Sequence, residues 1–192
     1  FGDLRIADVT NSIGEVFITG GEVQIPDGTT YVGKSGSGRM TVSNVTVEAK
    51  HVTVAANGGS HGSLNLSGGG IALSGNLNVG TAGAVTNHVE GTAGGIDLAS
   101  ASTFTLNGRM NIIFMRDPSV NGPHWGLRWR GVDKTTELSA MHAAGNLVWN
   151  DNGLSRPGTV HIFYDQTNTY VGITYPPPGS VLMPVPGSAD AV

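Results

Sequence analysis

The sequence predicts a mainly β protein: a parallel, right-handed β-solenoid of about four coils, a small C-terminal α+β cap, and an extended proline-rich tail. The first observation behind this is a repeat. Gly14-Glu15-Val16-Phe17-Ile18-Thr19-Gly20 is matched by Gly38-Arg39-Met40-Thr41-Val42-Ser43-Asn44 and by Gly62-Ser63-Leu64-Asn65-Leu66-Ser67-Gly68, so that the leading glycines are evenly spaced. The second is alternation, which puts Val16, Ile18, Met40, Val42, Leu64 and Leu66 on one side of their strands. The third is composition. Glycine is 30 of 192 residues, about twice the usual share of about 7%, and charged residues are only 12%, as in a turn-rich β protein.

Taken in order, residues 1–13 form a lead-in strand around Leu4-Arg5-Ile6. Residues 14–108 are the solenoid, with three short strands per coil: after each leading run come Val23-Gln24-Ile25 and Thr30-Tyr31-Val32, then Val45-Thr46-Val47 and Val52-Thr53-Val54, then Ile71-Ala72-Leu73 and Leu77-Asn78-Val79. Pro26-Asp27-Gly28 is a turn between strands. In the fourth period Thr86-Asn87-His88-Val89-Glu90 breaks the pattern, as terminal repeats do.

After Gly108 eight of the nine prolines follow, and a boundary is expected there. Residues 109–175 read as an α+β cap with strands around Met110, Trp125, Leu147, Val160 and Tyr170. Its one helix begins at Thr136, capped by Thr135 or Thr136, and stops at Gly145. Residues 176–192 are an extended tail, apolar at Val181, Leu182, Met183 and Val185.

Net charge −4 with three lysines offers no basic patch for nucleic acid, and no run of about 18 apolar residues spans a membrane. The start at Phe1 is read as a processed form or an excised piece. Without cysteine there is neither a disulfide nor thiol-ligated zinc. The histidines His51, His61, His88, His124, His142 and His161 lack ligand spacing, so no metal is expected. The acids Glu15, Glu22, Asp27, Glu48, Glu90 and Asp97 are isolated, so no catalytic pair, no catalytic residue and no cofactor are expected. Gly33-Lys34-Ser35-Gly36 lacks the spacing and the following helix of a phosphate cradle.

The cadence Tyr31-Val32-Gly33-Lys34-Ser35-Gly36-Ser37-Gly38-Arg39-Met40-Thr41-Val42-Ser43, followed by Gly62-Ser63-Leu64-Asn65-Leu66-Ser67-Gly68-Gly69, resembles the autotransporter-associated β-strand repeats of bacterial surface proteins. It also resembles exported β-helical proteins that end in a Pro-Glu-Pro sorting signal. Met183-Pro184-Val185-Pro186-Gly187 is similar to that signal but lacks its Glu. The resemblance implies a secreted structural or adhesive protein at the cell surface, with no catalytic residues to carry over.

The expected function is that of a non-enzymatic extracellular subunit that polymerises with itself, head to tail, into a filament or matrix. Phe1, Leu4 and Ile6 at one end, and Val181, Leu182, Met183 and Val185 at the other, are the candidate joint. The alternative is a carbohydrate-binding or carbohydrate-cleaving module of an adhesin or tailspike, with Trp125, Trp129 and Trp149 as a platform for extracellular glycans.

Overall fold

An evenly spaced repeat of strands has to satisfy each coil's backbone groups on the coils above and below it, and the chain does this in a parallel β-solenoid. The computed structural model describes residues 2–90, 95–115, 124–150 and 159–174. A short strand β1 (Leu4–Ile6) precedes four coils. These are β2 (Ile13–Ile18) with β3 (Val23–Val32), β4 (Ser37–Ser43) with β5 (Thr46–Val54), β6 (His61–Ser67) with β7 (Gly70–Leu73) and β8 (Leu77–Val79), and β9 (Gly83–Val89) with β10 (Ile96–Leu98) and β11 (Phe104–Leu106). Then come β12 (Arg109–Phe114), β13 (His124–Arg130), α1 (Thr135–Ala143), β14 (Leu147–Asn150), β15 (Thr159–Tyr164) and β16 (Asn168–Thr174).

Two sheets result. One runs β14-β12-β9-β6-β4-β2, all parallel; the other runs β1-β3-β5-β7-β10-β13-β16-β15, with β8 and β11 extending the second half of β5. The repeat sets the register: Val16, Met40, Leu64 and Val85 align, as do Ile18, Val42 and Leu66. These ladders face those of the other sheet, such as Val47-Ile71-Ile96-Leu127, across one continuous core.

The leading glycines have a packing reason. A Cβ on Gly14 would stand 2.9 Å from the Ala7 nitrogen, and one on Gly62 would stand 2.5 Å from the Ala55 nitrogen and closer still to the Val32 carbonyl. At each period the backbone leaving one sheet crosses directly over the first residue of the other. Only glycine leaves room for it.

Several expectations change. Coils one and two have two strands, because β3 and β5 run through; Pro26-Asp27-Gly28 is an irregularity inside β3, where Ile25 and Thr29 pair with Ala49 and His51. Thr86 to Glu90 does not break the pattern. Thr86 to Val89 lie in β9, which pairs with β6 and β12. Coil three is shorter than the two before it, so that Gly83 rather than a residue further on aligns with Gly62. Asn87 then occupies an inward position where the ladder otherwise has Leu66 and Ile112. The stack also runs on past Gly108: β12 pairs with β9, β13 with β10 and β14 with β12, all parallel.

Among the described strands β16 alone reverses direction, pairing antiparallel with β13 on one side and β15 on the other, and with α1 these strands close that end. Leu138 of α1 is fully buried, and the ring of His142 stacks on Trp149 at 3.9 Å. Thr135 is the first helical residue and does not cap. Asp133 Oδ1 instead accepts from the Thr135 N–H (3.0 Å) and hydroxyl (2.8 Å). Gly145, at φ +76°, ends the helix as expected, its N–H donating to the His142 carbonyl. The tail 176–192 lies outside the described residues.

Candidate assembly interface

The two ends of the solenoid differ. At the end that α1 covers, the last parallel strand, β14, is packed against the helix. At the other end β2 is the outermost strand of its sheet, and among the described residues nothing pairs with its outer side.

Hydrogen bonding identifies which groups face that side. The Ser37 N–H donates to the Ser12 carbonyl (2.8 Å) and the His61 N–H to the Gly36 carbonyl (3.0 Å). Along a parallel strand alternate residues address alternate neighbours, so Gly14, Val16 and Ile18 address β4. Ile13, Glu15 and Phe17 therefore turn their N–H and C=O groups to the open side.

The side chains at this end are equally unsatisfied. Ile13 is 88% exposed, Phe17 62% and Val9 69%. Val16, Ile18 and Val23 are only partly buried, whereas Met40 and Val42, one layer further in, are fully buried. The register makes the contrast specific: Ile13 aligns with Ser37 and His61, and Phe17 with Thr41 and Asn65. At these two outward positions coils two and three are polar and coil one is apolar, while Glu15 between them stays charged like Arg39. The alignment of the repeats contained this signal, which the alternation rule alone hides because it asks only which side faces inward.

β1 covers part of the end. It pairs with Thr30–Val32 of β3, and among the described residues Val23–Ile25 have no partner on that side. Leu4 and Ile6, expected at the joint, lie on β1, the outermost strand of its sheet, with their side chains turned into the chain: Ile6 is buried and Leu4 packs against the core. The physical reason is the parallel pairing of β1, which turns both into the ladders headed by Thr30 and Val32. The lead-in is further held by Asp3, whose carboxylate accepts from the Thr29 N–H (3.0 Å) and pairs with Arg5 (2.9 Å). Asp8 pairs with Lys34 (3.0 Å) and Arg5 (3.4 Å). The Thr29 N–H and then Arg5 hold the Asp3 carboxyl below its ordinary value, and Lys34 does the same for Asp8. Phe1, Val181, Leu182, Met183 and Val185 lie outside the described residues.

The three tryptophans do not form one platform. Trp125 lies on the outer face beneath Arg128 (4.6 Å from guanidinium carbon to ring centroid). Trp129 is 3% exposed and meets Phe104 edge-on, and Trp149 sits under the cap against His142. Trp125 and Trp129 would share a face of a regular strand, but β13 shifts register between Trp125 and Leu127 and sends them to opposite faces.

Beside them, Asp97 accepts two hydrogen bonds from Arg128 (2.9 and 2.6 Å) and one from Arg130 (3.1 Å), which raises the Arg128 guanidinium above its ordinary value. A shallow hollow of about 250 Å³ adjoins Arg130, with Gln24, Glu48 and Ser74 on its walls. That is below the roughly 300–1,000 Å³ of ligand pockets. Among the described residues no group of three or more His, Asp or Glu is placed to hold a metal ion, and no helix is long and apolar enough to cross a membrane. No family model matches the chain, and neither the curated proteins nor the solved structures contain a match to it.

Proposed function

We propose that the chain is a non-enzymatic structural subunit of an extracellular, cell-surface filament or matrix, assembled with other copies of itself head to tail at the open end of the solenoid. The observation that carries this reading is the apolar character of Ile13 and Phe17, at positions that the inner coils fill with Ser37, His61, Thr41 and Asn65. A second copy is the fitting partner because the two ends differ, one covered by α1 and one open. A contact between unlike ends repeats without closing and makes a filament.

Magnitudes indicate what the joint must contain. Burying Val9, Ile13 and Phe17 stabilises by about 1.5–3 kcal/mol each. Association costs roughly 4–15 kcal/mol in lost freedom, so the side chains alone give at best a weak contact. Backbone pairing to β2 is the additional term, since each of Ile13, Glu15 and Phe17 offers both a donor and an acceptor.

The test is light scattering and negative-stain microscopy of the full chain beside the double variant Ile13→Lys/Phe17→Lys, which puts charge on the edge. Concentration-dependent oligomers or filaments are expected for the unaltered chain and single particles for the variant. An unaltered chain that stays monomeric at high micromolar concentration refutes the reading. The glycan alternative has less support, because the tryptophans are separated and Asp97 is occupied by two arginines.

A further inference from the structure

We propose that residues 181–186 of one copy add as a strand to the open side of β2 in the next copy, running parallel to β2 with Met183 beside Val16. This rests on the assembly reading and names its joining segment, direction and register.

The edge itself sets the requirement. A strand laid parallel to β2 repeats the relation β2 has to β4. Its residues aligned with Gly14, Val16 and Ile18 face the core and donate their N–H groups to β2. Those aligned with Ile13, Glu15 and Phe17 face outward, and their N–H groups point away from β2. The incoming segment therefore needs apolar residues with free N–H groups at every second position. At the intervening positions an N–H is of no use.

Val181-Leu182-Met183-Pro184-Val185-Pro186 has this arrangement. Val181, Met183 and Val185 are apolar and carry donors. Pro184 and Pro186 lack N–H groups at the alternate positions, where none is used. In the parallel register Met183 and Val185 extend the ladders Leu64-Met40-Val16 and Leu66-Val42-Ile18 by one layer, over side chains that are now only partly buried. Leu182 and Pro184 fall beside Glu15 and Phe17. The prolines then leave the new outer edge short of donors, so a second strand does not add there. An antiparallel addition would place Val181, Met183 and Val185 outward and leave the core end to Leu182 and the prolines, burying less.

Reach decides between this copy's edge and another's. β3 lies in the same coil as β2, and β5, β7, β10, β13 and β16 follow it as successive layers, so β16 is six strand spacings from a strand added outside β2. At about 4.8 Å each this is about 29 Å along the stack. The seven steps from Thr174, the last residue of β16, to Val181 span at most about 25 Å. The edge within the same molecule is out of range. A copy stacked over α1 brings its β2 to about one helix diameter, about 10 Å.

The chain contains no cysteine, so paired cysteines report the register directly. In the proposed register Glu15→Cys and Leu182→Cys stand on adjacent strands about 4.8 Å apart, within the roughly 4.4–6.8 Å that a disulfide bridges. Mild oxidation of the full-length double variant is expected to shift the monomer band into a ladder of multimers on a non-reducing gel, reversed by reductant. Met183→Pro added to this variant is expected to abolish the ladder, because it removes a donor that faces β2. Pro184→Ala is expected to leave it intact. Circular dichroism and thermal unfolding of both variants are expected to match those of the unaltered chain.

A ladder from Glu15→Cys with Met183→Cys in place of Leu182→Cys indicates antiparallel addition and overturns the register. A compact cross-linked monomer overturns the intermolecular assignment. Oligomers of the unaltered chain that persist with Met183→Pro, and no ladder, overturn the segment while leaving assembly standing. A chain that is monomeric throughout overturns both.

Discussion

Replacing Gly62 with Ala opposes two physical effects of opposite sign. Glycine within a strand is less favourable than alanine by roughly 0.5–1 kcal/mol, because glycine loses more backbone freedom on folding. On that basis Gly62→Ala stabilises. The new methyl, however, would stand 2.5 Å from the Ala55 nitrogen and nearer still to the Val32 carbonyl oxygen, both of them backbone in stacked coils that cannot rotate away. Overpacking costs typically about 1–3 kcal/mol, and a clash with backbone belongs at the upper end of that range or beyond it. The net expectation is a loss of about 2 kcal/mol or more. For a chain of this length each kcal/mol lowers Tm by about 2–4 °C, so Tm falls by about 4–8 °C. Gly58→Ala is the control, since nothing lies within 4 Å of the site of its Cβ and only the entropic effect remains. Thermal unfolding followed by circular dichroism of the three chains decides the matter. If Gly62→Ala melts at or above the unaltered chain, the account of the glycine ladder as close backbone crossings is wrong.

A buried carboxamide and an exposed carboxylate give two further predictions. Asn87 is fully buried, and its amide donates to the Gly126 carbonyl (2.8 Å), which the register shift in β13 removes from the ladder. Asn87→Asp puts a carboxylate against that carbonyl. Its pKa is raised in the folded state, so the penalty is largest at neutral pH and declines as acid protonates the group and lets it donate; the variant's Tm should rise from pH 7 to pH 5. A Tm that is flat or falling over that interval contradicts the assignment. At the open end, the lowered Asp3 pKa means that the β1 attachment is fully present above the ordinary carboxylate value of about 3.9 and is lost as pH falls through the lower folded value. The Thr29 amide resonance should therefore titrate with an inflection below about 3.9 and lose it in Asp3→Asn; an inflection at or above that value refutes the contact.

The solenoid was legible in the sequence because stacking imposes translational order. A ladder in space is a period along the chain, so Gly14, Gly38 and Gly62 and the alternating apolar residues between them report the register directly. The same logic explains the losses. Where one coil shortened and placed Asn87 in the ladder, the period and the alternation failed together, and β9 went unrecognised although its pairing is regular. Past Gly108 intervals of varying length separate aligned strands: Arg109 pairs with Ala84, but Leu147 pairs with the more distant Met110. No local signal reports a parallel partner whose separation along the chain keeps changing.

The candidate interface was half legible. An open first coil follows from any solenoid of finite length, and the apolar Ile13 and Phe17 stand out once the repeats are aligned. That Leu4 and Ile6 are used within the chain depends on β1 folding back onto Thr30–Val32 of β3, a contact across the whole first coil that only the tertiary structure decides. The separation of Trp125 from Trp129 is of the same kind. Sequence spacing puts them on one face, and a single register shift in β13 puts one in the core and the other outside. The sequence by itself determined the repeat and, over the first three coils, the layers and their register, because these are local periodicities. The tertiary structure decided which end is open and which residues are exposed there, because those depend on where the chain's irregular segments find partners.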